Sequence, residues 1–496
     1  MTTRSFGTLE PASNQPERNA YDPDTPEALR EFMLRDWAPP GGGPEQPLAD
    51  AAAFAARRRR LSATYPGETL IVPSGGEKVR ANDTYYRFRP GSDFYYLTGN
   101  LEPDCVLVLE PVAGGHRDVL YVEPNVGKTH ESFFEDRKKG ELWVGPRLGV
   151  ERSRERYGVD EVRGLPEVPD LLERLERGAS AYRIVRGIDP ALDARLADQA
   201  ERDAALATTL AEMRLLKDAV EVRELEKAMA MTAHAFDDVM RELHRLTKER
   251  EVEAIFFSRA RVEGNDTGYG TVAAAGPNAC TLHWTRNDGP LRRGDLLLLD
   301  AGVEAESLYT ADVTRTVPIG GRFSEAQREI YALVLEAQTQ ALAECKPGND
   351  FLAPNAAAMR VLAHGLERLG ILPGSAEEAL REEHQFYRRY SLHNVSHMLG
   401  LDVHDCATAR KENYKYGKLQ AGMVLTVEPG LYFQTDDLTV PERYRGIGVR
   451  IEDDVLITAV GHRVLSEAIP RQIAEVERWA GSGKALPPTT TVRTKS

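Results

Sequence analysis

The stretch "LLLLDAGVEAESLYTADVTRTVPI", residues 296–319, decides the fold. Its four leucines show no alternation, so the strand they form is expected to be covered on both faces. That strand ends in Asp300, just ahead of Gly302. A second strand then alternates, with Asp312, Thr314 and Thr316 on one face and Val313 and Val317 on the other. Strand propensity disfavours an aspartate among β-branched residues, and a buried one needs a cation. Taken alone, each acid has an ordinary explanation as a turn-former or a surface ion pair.

Working outward, the anomaly recurs. In "MVLTVEPG", residues 423–430, Glu428 closes an apolar strand before Pro429 and Gly430. In "GVRIEDD", residues 448–454, alternation places Arg450, Glu452 and Asp454 on one face and Val449 with Ile451 on the other. Between these runs and the first lies "HNVSHMLGLDVHD", residues 393–405, with three of the chain's eleven histidines: His393, His397 and His404. Such a cluster reads as a metal site, an acid–base relay or a polar turn. Four mutually repelling acids on buried strands become stable around two divalent ions, whose four positive charges match them. With one histidine added, the ligand set is Asp, Asp, His, Glu, Glu. Oxygen-rich ligation with a single imidazole suits Mn²⁺, Fe²⁺, Co²⁺ or Zn²⁺ better than a thiolate-type site does. Two ions sharing a water generate hydroxide at neutral pH and clamp a transition state.

The rest of the chain is consistent with an enzyme of two domains. Its 496 residues exceed one ordinary core, and 42% hydrophobic with 28% charged residues is a globular composition. A net charge of −14 argues against a general nucleic-acid binder. The "RRRR" run at 57–60 reads as the solvated end of an amphipathic helix expected over 47–63. Neither an apolar leader nor a run long enough to span a membrane is apparent. Four scattered cysteines without a CxxC suit reduced thiols, so a cytoplasmic protein is expected. No GxSxG, P-loop or Rossmann fingerprint appears. Residues 1–45 read as a flexible extension, and "TLIVPSGG", "DFYYLTGN", "CVLVLEP" and "DVLYVEP" as short strands of an α/β domain over 46–206. A domain of helices and strands follows over 207–475, then a disordered tail over 476–496.

In these motifs, taken in order, the chain resembles metallopeptidases of the pita-bread fold, specifically their aminopeptidase P (Xaa-Pro aminopeptidase) branch. The likeness covers about 47–470 and includes "FRPGSDFYYLTGNLEPDCVLVLEP" in the first domain. It implies an α/β (α+β) chain: an N-terminal creatinase/aminopeptidase P-like domain followed by a C-terminal pita-bread catalytic domain. It further implies that Asp300, Asp312, His397, Glu428 and Glu452 ligate two divalent ions, with Asp312 and Glu452 bridging. Mn²⁺ is expected first, with Co²⁺ or Zn²⁺ able to fill the same shell. His283, in "CTLHWT", matches a histidine near the substrate, while His393 and His404 match histidines lining the cleft. Arg450 matches an arginine paired with the ligands, and Tyr432 a supporting tyrosine. Tyr95 stands where some relatives carry a tryptophan directed at a neighbouring subunit; a homodimer or homotetramer is expected. The implied substrate is a peptide with proline at position two, cut by a metal-bridged hydroxide with Glu428 managing its proton. The implied partners include neither nucleic acid nor membrane. Rival readings are a prolidase of the same fold and a non-catalytic pita-bread peptide-binding protein. The span from Asp300 to Asp312 is one residue longer than the family pattern, which places the extra residue in the tip near 304–307. The segment "ATARKENYKYGK" also departs from it.

Overall fold

The computed structural model of the chain describes residues 24–38 and 45–481. It divides into two compact units, Met1–Asp203 and Ala204–Ser496.

The first unit is built on a mixed five-stranded sheet. Its strand order is Glu161–Gly164, Gly115–Val122, Val106–Val112, Glu68–Pro73 and Ala181–Ile184. The two outer pairings are parallel and the two inner ones antiparallel, with Leu70 opposite Leu109. Ile71, Val108, Val119 and Ile184 meet Leu171, Leu172 and Leu175 of the helix Val168–Glu176 in a buried core.

Three expectations fail in or beside this unit. "DFYYLTGN" is not a strand: its first six residues belong to the helix Ser92–Thr98. Asp93 occupies its first turn and Gly99, at φ 66°, ends it, signals that a run of buried aromatics conceals. Tyr95 belongs to that helix and packs edge-on against Phe54. The arginine run is not solvated throughout either, because Arg57 and Arg58 of the helix Ala51–Thr64 are 4% and 1% exposed. Arg58 donates to Asp118 (2.6 Å), the Leu97 carbonyl (2.8 Å) and the Gly158 carbonyl (2.6 Å). Arg57 lies over the Tyr96 ring. The forked guanidinium supplies the donors that let both charges be buried. Within the expected flexible extension, residues 27–33 form a helix, whose Arg30 pairs with Glu135 at 2.7 Å. The rest of that extension, residues 1–23 and 39–44, lies outside the described residues.

The second unit carries two three-stranded antiparallel sheets. One orders Val313–Pro318, Leu296–Ala301 and Val272–Ala275; the other orders Val424–Val427, Asp453–Ile457 and His462–Val464. The helices Ala219–Glu242, Glu249–Glu263, Glu325–Glu344 and Ala353–Arg368 cover them in one continuous apolar core. As the unbroken leucines require, every residue of Leu296–Ala301 is buried. Asp218 caps the helix Ala219–Glu242 through the amides of Val220 and Glu221, an arrangement worth about 1 kcal/mol. The run "GVRIEDD" is not one strand: Gly448–Arg450 pairs with Gly430–Tyr432, whereas Asp453–Ile457 belongs to another sheet. Residues 476–481, expected in a disordered tail, complete the helix Ile473–Gly481. Val476, Trp479 and Ala480 bury one face of it, and the Trp479 indole donates to Asp237. Residues 482–496 lie outside the described residues. Among the described residues, no helix is long and apolar enough to cross a membrane.

Candidate metal centre

Strand breaks set the site. Asp300 is the penultimate residue of Leu296–Ala301, and Asp312 directly precedes Val313–Pro318. Glu428 lies in the gap between Val424–Val427 and Gly430–Tyr432, and Glu452 in the gap between Gly448–Arg450 and Asp453–Ile457. The register puts Asp300 opposite Thr314. The Glu452 amide donates to the Thr314 carbonyl (3.1 Å), and Thr316 exchanges two hydrogen bonds with the Arg450 backbone. Residues 395–399 run beside Val424–Val427, where the Thr426 amide donates to the His397 carbonyl and the Glu428 amide to the Val395 carbonyl. Four sequence-distant acids and one histidine are thereby brought together.

His397 Nε2 lies 3.3 Å from Asp312 and 3.6 Å from Glu428. Its Nδ1 is 3.2 Å from the Met398 carbonyl, which can only accept, so Nδ1 carries the proton and Nε2 faces the acids. Donor atoms of Asp312, His397 and Glu452 all fall within 4.8 Å of one another. Two unit charges at such a distance repel by about 3–4 kcal/mol at an effective dielectric of about 20. Burial and this repulsion push Glu428 up to about 7, raise Asp300, and drive Glu452 far above the carboxylate range. Burial opposes the charge on His397, but Asp312 and Glu428 outweigh it and raise the imidazole to about 9. Asp454 donates nothing, accepts the Asp312 amide on one oxygen, and leaves its other oxygen buried without a partner. This is an oxygen-rich cluster short of positive charge, and its donor set suits divalent ions.

Arg450 is the permanent cation of the cluster. It pairs with Asp300 and donates to Thr314 Oγ1 (3.0 Å) and to the Tyr432 hydroxyl (2.9 Å). Thr314 in turn donates to Glu452 at 2.6 Å. Since Arg450 only donates, the Tyr432 hydroxyl donates in turn to His393 Nε2 (2.8 Å), and His393 Nδ1 donates to the Asn394 carbonyl. Burial, then Arg450, holds His393 down at about 4, so it is neutral at pH 7. His404 stands edge-on to His397, ring centroids 4.4 Å apart. His283 is exposed, and its charge bears on both His393 and His404. Contacts thus link Asp300, Asp312, His393, His397, His404, Glu428, Arg450, Tyr432 and Glu452, whereas His283 is related to them by charge alone. A second group of possible donors, His364, Glu367 and Glu377, lies near the surface, with side chains 41–71% exposed and paired within the group.

Sequence reasoning missed two supports. The Tyr269 hydroxyl contacts both Asp300 (2.7 Å) and Asp312 (2.6 Å). One hydroxyl proton is shared between two carboxylates, so the pair is undersupplied with donors. The only hint was "TGYGTV", a tyrosine between two glycines. Tyr269→Phe is expected to weaken metal binding by about 10–100-fold, measured by titration with a fluorescent chelator as competitor. Asp405, beside His404, is buried and held by Arg214 (3.0 Å) and Lys217 (3.4 Å). Only glycine fits at 400, because a Cβ there would lie 2.1 Å from the Asp405 carboxylate.

The sequence matches metallopeptidase family M24 over residues 223–459 and the aminopeptidase P N-terminal domain over residues 54–185. Xaa-Pro aminopeptidase 1 of Streptomyces coelicolor is 50% identical over 471 residues, 94% of each chain. The chain belongs to metallopeptidase family M24, in its aminopeptidase P branch. The Escherichia coli Xaa-Pro aminopeptidase is 34% identical over 442 residues, covering 86% of this chain and 96% of that one. A solved structure of E. coli aminopeptidase P with the inhibitor Pro-Leu superposes with a TM-score of 0.78 at 32% identity, covering 88% of this chain and 99% of that chain. Pseudomonas aeruginosa aminopeptidase PepP gives 0.79 at 35% identity, covering 87% and 98%. The two-part α/β architecture and the pita-bread second unit are those of the branch.

Proposed function

We infer that the chain is a metal-dependent Xaa-Pro aminopeptidase, which hydrolyses the bond between an N-terminal residue and a penultimate proline. The observation that carries this reading is the buried, cation-deficient cluster in a chain half identical to an Xaa-Pro aminopeptidase over nearly its whole length. Asp300, Asp312, His397, Glu428 and Glu452 are proposed to hold two divalent ions. Mn²⁺ is the ion favoured by four carboxylates and one imidazole. When bound, such ions acidify water to near neutrality and polarise the scissile carbonyl.

The remaining work falls to the chain's own groups. Arg450 holds Asp300, Thr314 and Tyr432 in place and stays charged throughout. Glu428 takes and returns the water's proton in this reading. His283 or His404 donates to the oxyanion as it develops. His393, neutral and oriented by Tyr432, faces the leaving-group side. An Xaa–Pro amide carries no N–H, so its pocket needs no acceptor for one. Four unpaired buried cysteines suit a reducing compartment, and a cytoplasmic homodimer or homotetramer is the proposed form.

A direct test follows Xaa release from matched Xaa-Pro-Yaa, Xaa-Ala-Yaa and Xaa-Pro peptides. Cleavage of Xaa-Pro-Yaa alone, or well above the others, is expected. Cleavage of the dipeptide alone would make the protein a prolidase, and cleavage of none would leave a peptide-binding module. Metal uptake is expected to expel protons. In the metal-free protein His397 titrates at about 9 and Glu428 at about 7, and both must be unprotonated to ligate. Apparent Mn²⁺ affinity should therefore rise at least about tenfold per pH unit between pH 6 and 8. Calorimetry in buffers of different ionisation enthalpy counts the protons, and a pH-independent affinity would refute the ligand assignment.

A further inference from the structure

Outside the donor cluster, Glu249 of the second unit is fully buried, and its carboxylate meets N–H donors on both oxygens. It opens the helix Glu249–Glu263, and its carboxylate accepts four hydrogen bonds. One oxygen takes the Ala275 amide (2.7 Å) and the Asn278 side chain (2.8 Å). The other takes the Gly289 amide (2.6 Å) and the Trp284 indole (2.8 Å). All four donors belong to residues 275–289, the segment that carries His283. The approach is so close that a Cβ at Gly289 would lie 2.8 Å from both oxygens. Buried charge is tolerated here because every bond it receives is from an N–H, and such bonds to a charged acceptor are about twice as strong as neutral ones.

His283 itself is exposed and lies in neither helix nor strand. Its position is set by its neighbours. On one side, Cys280 is fixed by its thiol on the Phe433 carbonyl (3.2 Å) and by Gln434 donating to its own carbonyl (2.8 Å). On the other, Trp284 is fixed by Glu249 alone among its hydrogen-bond partners. Asn287 closes the segment onto the strand Val272–Ala275 through the Ala273 amide and the Thr271 carbonyl. We propose that Glu249 is the positioning residue of His283: it acts on hydrolysis by fixing the loop that presents this imidazole to the substrate. This deepens the reading of His283 given above and rests on it.

The test is a double-mutant cycle on Xaa-Pro-Yaa hydrolysis by the metal-loaded full chain, with Glu249→Gln, His283→Ala and their combination. Glutamine keeps the size but turns one acceptor into a donor facing N–H groups. Misplacement by about 1 Å can cost about 10²-fold. Glu249→Gln is therefore expected to lower kcat by about 10–100-fold, with KM and the content of two metal ions unchanged. In the His283→Ala background the same substitution should change kcat/KM by less than about twofold, because its target is gone. A loss that multiplies with that of His283→Ala, or a loss of metal, would overturn the proposal while leaving the role of His283 intact. A fully active His283→Ala would sink the reading of His283 and the proposal together. Should Glu249→Gln not fold, Trp284→Phe removes a single donor and takes its place in the same cycle, with a smaller loss and the same silence expected.

Discussion

Asp312→Ala is expected to lower kcat/KM for Xaa-Pro-Yaa peptides by at least about 10³-fold, equivalent to about 4 kcal/mol of transition-state stabilisation. Asp312 stands nearest the centre of the cluster: it lies 3.3 Å from His397, accepts from Tyr269, and shares a 4.8 Å donor group with Glu452. The loss should not come from unfolding. The contact that ties this position to Asp454 uses the Asp312 amide, which alanine retains. Removing one of several repelling carboxylates also relieves the metal-free fold. Thermal unfolding of the metal-free variant should therefore occur at or above the wild-type midpoint. The wild type should gain about 2.7 kcal/mol from an ion present at a hundred times its Kd, and the variant should gain little of it.

The second large effect is on stability. Arg315→Met is expected to cost about 3–5 kcal/mol, read as a lowered urea midpoint. Arg315 and Asp453 are both fully buried, 2.7 Å apart. The same guanidinium donates to the carbonyls of Pro470 (2.9 Å), Ile469 (2.8 Å) and Thr314 (3.0 Å), and to that of Glu452. Asp453 further receives Gln338 and Arg471, each at 2.8 Å. Methionine fills the volume but leaves these acceptors buried and unmet. Burial alone would raise Asp453, yet Arg315 and Arg471 hold it below its ordinary value. A carboxyl depressed in the fold contributes stability above its unfolded pKa, about 3.9, and loses it as pH falls through the folded value. The gap between wild type and variant should thus be full at pH 7 and narrow below about pH 4. Because Arg315 also holds the Glu452 backbone, the variant should bind metal less tightly.

Much of this site was legible because its acids sit where strand chemistry does not want them. Asp300, Asp312, Glu428 and Glu452 each interrupt an apolar or β-branched run, and that conflict is visible without coordinates. What the strands do at those points was not. Alternation suggested that "GVRIEDD" is continuous, whereas the chain changes sheets at Ile451 and Glu452. The carboxylate still turns into the cluster because the Glu452 amide is anchored on Thr314, a pairing between segments that no local pattern reports. Tyr269 and Glu249 were invisible for a related reason: a tyrosine between glycines and a glutamate at a helix start are ordinary locally. Their roles come from partners 31 to 43 residues away in one case and 26 to 40 in the other. The arginine run misled in the opposite direction. Charge density suggested solvent, but the carbonyls that Arg58 caps come from residues 39 and 100 positions along the chain. "DFYYLTGN" misled because a fully buried aromatic run has no period to read, leaving only Gly99 to mark a helix end.

The measurement that tests the central claim most directly is a titration of Mn²⁺ into the metal-stripped chain, with bound ion and release of Xaa from an Xaa-Pro-Yaa peptide followed together. The predicted result is no hydrolysis without metal, full activity by two ions per chain, and neither tight binding nor activity in Asp312→Ala. Hydrolysis by the stripped protein, or two tightly bound ions with no cleavage, would contradict the account.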